Sequence, residues 1–243
     1  MKLKIVQSCD KDPFQNRILG YTGPVNKKYC QKFGYKYEQY IGNKVEGVGG
    51  VWNKIIIPYE ELQKQECEWL LILDPDAFIY DHYSDLYVDI LHPNISYPIV
   101  GQGYPHTPKP QTDENFRGIV VLNGGSVFYN LSHELTPIIL EKYKEKFFEE
   151  KKMPNWQNGN PVLGIFEEGY LSYAIHKTYL ETGKVTTKQL ESGINFNGSY
   201  IKHVLNPPLF EYCFGLMPSE RENYIIHQTK EIMEKYYETV SVQ

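Results

Sequence analysis

The chain alternates short continuous apolar runs with stretches of helical spacing. Leu3 to Ser8 reads as a first strand, ending in the polar loop Gln7 to Pro13. Asn16 to Phe33 carries a helical pattern broken by Gly20 and Pro24, and Gly34 stops it as a C-cap glycine does. Tyr35 to Ile41 alternates tyrosines with Lys, Glu and Gln, which suits a second strand. Asn43 to Gly50 is a glycine-containing flexible loop that lacks the Lys-Ser/Thr of a P-loop. Val51 to Gln65 predicts a helix with Trp52, Ile55, Ile56, Tyr59 and Leu62 on its apolar side, and Pro58 marks a kink or a late start. Trp69 to Leu73 is a run of five apolar residues, the mark of a strand buried on both faces. This order of strand, helix, strand, helix, strand predicts an α/β fold with a mixed, mainly parallel central sheet flanked by helices.

The second half is less regular. Asp81 to Leu91 reads as a short helix and Tyr97 to Gly101 as a strand. His106 to Phe116 contains three prolines and no periodicity, so it is a long loop and a candidate lid. Gly118 to Asn130 is an apolar strand interrupted by Asn123-Gly124-Gly125. Glycines there mark a bulge or the close approach of a ligand, although Asn-Gly also favours a hairpin turn. Leu131 to Lys151 predicts a long, solvated surface helix, and Met153 to Gly164 a loop with Trp156, Gln157, Asn158 and Asn160. Phe166 to Ala174 opens another helix, and Gly193 to Val204 contains one or two short strands. Asn223 to Lys230 reads as a last strand with His227 at its end, followed by a helix to Thr239.

Length and composition narrow the functional classes. The 243 residues suit one large domain, residues 1–243, with a substantial core. A net charge of −5 argues against a general nucleic-acid binder. The 21 tyrosines suit a sugar-binding surface, but tyrosine is equally at home in a core. Cys9, Cys30, Cys67 and Cys213 form no C-x-x-C pair, so reduced, mostly buried thiols are expected. No apolar run approaches the ~20 residues of a membrane helix. A soluble, cytoplasmic protein is the expectation, and the sequons at Asn94, Asn130 and Asn197 matter only for a secreted chain.

Candidate chemistry centres on Asp74-Pro75-Asp76, at the carboxyl end of the buried strand. In open α/β sheets ligands sit at that edge. Two carboxylates around a proline can converge on one hard cation, which in turn holds a diphosphate; Asp-Pro-Asp is also good turn chemistry. The loop Gln7, Ser8, Cys9, Asp10 is placed to hold a nucleotide base and ribose. Lys54 is a candidate phosphate contact or a solvated lysine, and Asn123 can bond a sugar hydroxyl. Glu167 and Glu168 either complement a helix dipole or supply a carboxylate to an acceptor pocket. His227, read as following an apolar strand, is a candidate metal ligand.

These residues resemble the metal-dependent, nucleotide-sugar glycosyltransferases of GT-A fold, nearest the galactosyl/xylosyltransferase superfamily of the yeast mannan type, with the glycogenin-like group behind it. The resemblance rests on Trp52-x-Lys54, Trp69 to Ala77, Asn123-Gly124-Gly125-Ser126, Glu167-Glu168 and His227, and it spans Leu3 to about Lys230. It implies a Rossmann-like nucleotide-binding half, residues 1–80, and an acceptor-side half, residues 81–243. It also implies Mn²⁺ (or Mg²⁺) on Asp74 and Asp76 with His227 completing the site. The loop Gln7 to Asp10 would hold the nucleotide, with UDP favoured, and Asn123, Gly124, Gly125 and Glu168 would face the sugar and a glycan or glycoprotein acceptor. Lys54 or Lys230 would add positive charge at the diphosphate. Two departures stand out: the usual His-Phe-x-Gly ending is here His227-Gln228-Thr229-Lys230, and Glu167-Glu168 stands where Asp-Gln is common. The competing readings are a Mg²⁺-dependent phosphohydrolase with Asp74 as nucleophile and Asp76 as acid/base, and a non-catalytic carbohydrate-binding protein.

Overall fold

The computed structural model describes residues 1–103, 122–152, 167–190, 192–195, 197–204 and 218–238. A six-stranded mixed sheet lies at its centre, in the order β2-β1-β3-β6-β5-β7. The strands are β1 (Leu3–Cys9), β2 (Lys36–Ile41), β3 (Trp69–Leu73), β5 (Ile99–Gly103), β6 (Leu122–Asn130) and β7 (Lys188–Leu190). A small second sheet pairs β4 (Ala77–Ile79) with β8 (Ile201–His203), antiparallel. β1 runs parallel to both β2 and β3, whereas β6 is antiparallel to β3 and to β5.

β3 shows why a continuous apolar run belongs here. All five of its residues are buried. Trp69, Leu71 and Leu73 pack in one core with Tyr29 and Cys30 of α1 (Pro13–Phe33). Leu70 and Ile72 pack in the other, with Trp52 and with Ile55 of α2 (Asn53–Lys64). That second core also takes residues of α3 (Thr136–Lys151) and α4 (Glu167–Thr182). Successive side chains of a strand point to opposite faces, so a strand with helices on both sides has no polar position left. Fully burying each of these aliphatic side chains stabilises the fold by roughly 1.5–3 kcal/mol.

The early elements fall where the pattern predicts them, with differences that have local causes. α1 is continuous through Pro24, because the carbonyl that the ring disables belongs to the exposed Gly20 and can turn to water. Asp12 caps the helix, its carboxylate accepting from the Phe14 and Gln15 amides. α2 starts at Asn53 after a 3₁₀ turn over Gly50–Trp52. α3 is half-buried rather than a solvated element, since Ile139, Leu140, Tyr143 and Phe147 sit in the core.

The segment read as a last strand is instead α5 (Arg221–Met233). Its buried residues Arg221, Ile225, Thr229 and Ile232 recur at helical spacing, which outweighs the short apolar run at Ile225-Ile226. Asp81 to Leu91 contains only one π-helical turn, Tyr87–Leu91. Asn123-Gly124-Gly125 lies inside the continuous strand β6, so no hairpin turn forms there. The candidate lid at His106 to Phe116 and the loop with Trp156, Gln157, Asn158 and Asn160 lie outside the described residues. Cys9, Cys30 and Cys67 are free and buried. Among the described residues no helix is long and apolar enough to cross a membrane.

Candidate functional site

The strand order creates the site. β2 and β3 flank β1 on opposite sides, so the loops after β1 and β3 diverge and leave a crevice at the carboxyl edge of the sheet. A cleft of about 200 Å³ opens there, and Ser8, Cys9, Asp10, Asp74 and Asp76 are among its lining residues. Gly50 closes one side. A Cβ on it would lie 2.2 Å from the Asp10 amide nitrogen, so only glycine permits this approach of the two loops.

The Asp74-Pro75-Asp76 turn is held from beneath by a buried polar network. The Gln7 side-chain amide donates to the carbonyls of Asp74 at 2.8 Å and Ala77 at 2.9 Å. Thr22 Oγ1 donates to the Pro75 carbonyl at 2.7 Å, and Asn26 Oδ1 accepts from the Ile79 amide at 2.8 Å. Asn26 Nδ2 and the Tyr37 hydroxyl both donate to Gln7 Oε1. Gln7 is therefore fully buried and shapes the turn instead of facing the cleft. Two further backbone bonds fix it: the Asp74 amide donates to the Gly125 carbonyl at 3.0 Å, and the Val204 amide to the Asp76 carbonyl at 3.1 Å.

Asp74 and Asp76 meet a histidine, but not His227. His203, the last residue of β8, places Nε2 3.5 Å from Asp74 Oδ2 and 3.3 Å from Asp76 Oδ1. One ligand atom from each of the three residues lies within 4.8 Å of the other two. His227 is exposed on α5 and outside this cluster. His227 follows the apolar pair Ile225-Ile226, whereas His203 follows Lys202 in β8 and has no such run before it.

His203 is itself oriented. Asn123 Oδ1 lies 3.0 Å from its Nδ1 and also accepts from the Gly125 amide. An amide oxygen only accepts, so Nδ1 carries a hydrogen and Nε2 faces the aspartates, donating to them when the ring is charged and offering a lone pair to a cation when it is neutral. Gly125 allows this packing, because a Cβ there would stand 1.9 Å from Nδ1. Two oxygens or nitrogens about 2.1 Å from one ion are about 3.0–3.4 Å apart at octahedral to tetrahedral angles. The 3.3 Å spacing to Asp76 falls within that range and the 3.5 Å spacing to Asp74 just beyond it, and two carboxylates with one imidazole suit a divalent cation.

Charge around the cluster is partly compensated. Burial by itself would raise the Asp76 carboxyl, but His203 and Arg221 outweigh it and hold it down at about 2. Asp76 Oδ2 pairs with the Arg221 guanidinium. Burial opposes the charge on His203, and Asp76 with Asp74 raises its pKa. Lys54, read as a phosphate contact or a solvated lysine, is buried and bridges Asp74 at 2.6 Å and Glu167 at 2.7 Å. Burial raises Glu167 to about 7, with Lys54 opposing and Glu168 adding to the shift. Glu168, half-buried, accepts from the Gly124 amide at 2.8 Å. Lys230 is exposed and faces Glu234 at 3.7 Å, away from the cluster's charge network. Burial, then Asp10 and Asp12, push the Cys9 thiol up to about 11, so it is neutral at pH 7.

Neither a protein-family model nor a curated protein matches the sequence. Solved structures do match the fold. A glycosyltransferase involved in the glycosylation of the major capsid of PBCV-1 is 15% identical, with 93% of this chain and 98% of that one covered and a TM-score of 0.55. An active-site mutant of LgtC is 12% identical, with 92% and 95% covered and a TM-score of 0.55. The galactosyltransferase LgtC in complex with donor and acceptor sugar analogs is 13% identical over the same shares, with a TM-score of 0.51. At such identities the likeness is one of fold: the chain has the GT-A fold of these glycosyltransferases.

Proposed function

We propose that the chain is a glycosyltransferase that moves a sugar from a nucleoside-diphosphate sugar, with UDP favoured, to a hydroxyl of a glycan or glycoprotein. The observation that carries this reading is the convergence of Asp74, Asp76 and His203 beside the cleft at the sheet's carboxyl edge. The three residues would hold Mn²⁺ or Mg²⁺, and the bound cation would supply neutralisation of charge on the leaving diphosphate. Ser8, Cys9 and Asp10 would take the nucleotide, since they line the cleft wall after β1. Asn123 has a buried Nδ2 with no hydrogen-bond partner among the described residues, a donor suited to a sugar hydroxyl. The bond from the anomeric carbon to the diphosphate breaks as that carbon bonds the acceptor oxygen. The acceptor's proton would pass to Glu168 in an inverting reaction and to the leaving phosphate in a retaining one. Glu167, engaged with Lys54, would position that lysine and not the acceptor.

A thermal-shift titration with UDP, GDP and CMP, each with and without Mn²⁺, tests the site. A ligand at ~100 times its Kd adds about 2.7 kcal/mol of stability. The expected result is a shift that needs both UDP and Mn²⁺ and is lost in Asp74→Asn. No shift with any nucleotide would return Asp-Pro-Asp to being a turn. Slow release of nucleoside diphosphate from the donor separates a transferase from a carbohydrate-binding protein, which releases none.

A further inference from the structure

The two aspartates of the cluster share an unusual constraint. Each has one oxygen toward His203 and the other on a buried cation. For Asp74 that cation is Lys54, 2.6 Å from Oδ1. For Asp76 it is Arg221, whose Nη2 bonds Oδ2. Arg221 is the first residue of α5 and only 5% exposed, and its Nε donates to the Val204 carbonyl at 2.9 Å. Val204 in turn donates its amide to the Asp76 carbonyl. The guanidinium is thus locked into a closed ring of bonds that runs through the residue after His203, and its planar fork serves both acceptors at once.

We propose that Arg221 sets the metal selectivity of the site, by occupying Asp76 Oδ2 and confining that carboxylate to ligation through a single oxygen. The inference rests on the reading of Asp74, Asp76 and His203 as a metal site. Large Ca²⁺ takes six to eight oxygens and commonly draws both oxygens of a carboxylate, whereas smaller cations are satisfied by one from each. The positive charge of Arg221 weakens every divalent cation alike. The blocked oxygen is what separates them by size. Lys54 applies the same restraint to Asp74, so neither carboxylate is open to bidentate ligation while both cations stay in place.

The test is Mn²⁺ binding to the whole chain, read from the free-ion EPR signal, with Ca²⁺ as competitor, for wild type, Arg221→Met and Arg221→Lys. In Arg221→Met both cations are expected to bind more tightly, and the preference for Mn²⁺ over Ca²⁺ to fall by about tenfold. Arg221→Lys keeps the charge but cannot serve Asp76 and Val204 together, so the preference is expected to fall by about threefold. Circular dichroism verifies the fold of each variant, and the Lys variant decides the matter if the Met variant does not fold. A preference within about twofold of wild type in the folded variants would overturn the role of Arg221 while leaving the metal site standing. A wild type that binds no Mn²⁺ would overturn the site, and this inference with it.

Discussion

Two clusters of charge lie at opposite ends of β1 and β3, the first built on the buried pair Lys4 and Glu61, and they differ in kind. At the amino end Lys4, in the middle of the sheet, meets Glu61 at 2.6 Å and Glu38 at 2.8 Å, and Lys64 reaches Glu61 as well. Two lysines there face two glutamates. At the carboxyl end Asp74, Asp76 and Glu167 face Lys54 and Arg221, with Glu168 alongside, so carboxylates are in excess. The excess borders a cleft. A balanced cluster is a structural device, whereas unbalanced carboxylates beside an opening, with a histidine oriented toward them, are a place for a cation.

Variants at both ends test the contrast. The largest expected effect is on stability: Lys4→Met should cost about 3 kcal/mol, the lower end for breaking a buried pair, because Lys64 still reaches Glu61. Urea denaturation measures that cost, and nucleotide binding in the folded fraction should be unchanged. Loss of nucleotide binding would erase the distinction between the two ends. Next, Asp76→Asn should weaken Mn²⁺ binding by at least about 100-fold, read by calorimetry. Asn123→Ala, which frees the His203 ring and leaves the buried Gly125 amide without its acceptor, should weaken Mn²⁺ by about tenfold and lower stability by about 1–3 kcal/mol. Smallest of all, His227→Ala and Lys230→Ala should leave metal and nucleotide binding at wild-type values. A clear loss in either would mean that the part of α5 carrying His227 and Lys230, and not only Arg221 at its start, approaches the cleft in a bound state.

The legibility of the sequence follows the same divide. β3 was readable because burial on both faces leaves only apolar residues, and Asp74 and Asp76 because they end that run. The Asn123-Gly124-Gly125 signal left a hairpin and a ligand approach open, and the strand chosen here depends on pairing with β3 and β5. His203 and Arg221 were missed because each acts through a tertiary neighbour, across 127 and 145 residues of chain from Asp76. No local pattern encodes such a partner. The helical spacing of Arg221, Ile225, Thr229 and Ile232 was present, however, and would have removed His227 from the candidates.

The network under the Asp-Pro-Asp turn has a consequence for anyone wishing to move this site to another scaffold. The two aspartates and the histidine would not suffice as a graft. Gln7 comes from β1, Thr22 and Asn26 from α1, and together with the Gly125 carbonyl they satisfy the turn's backbone from several directions. The smallest portable unit is therefore β1, β3, β6 and α1 together with the β4–β8 pair that brings His203 and Val204, and a shorter transplant would carry the ligands without the mould that shapes them.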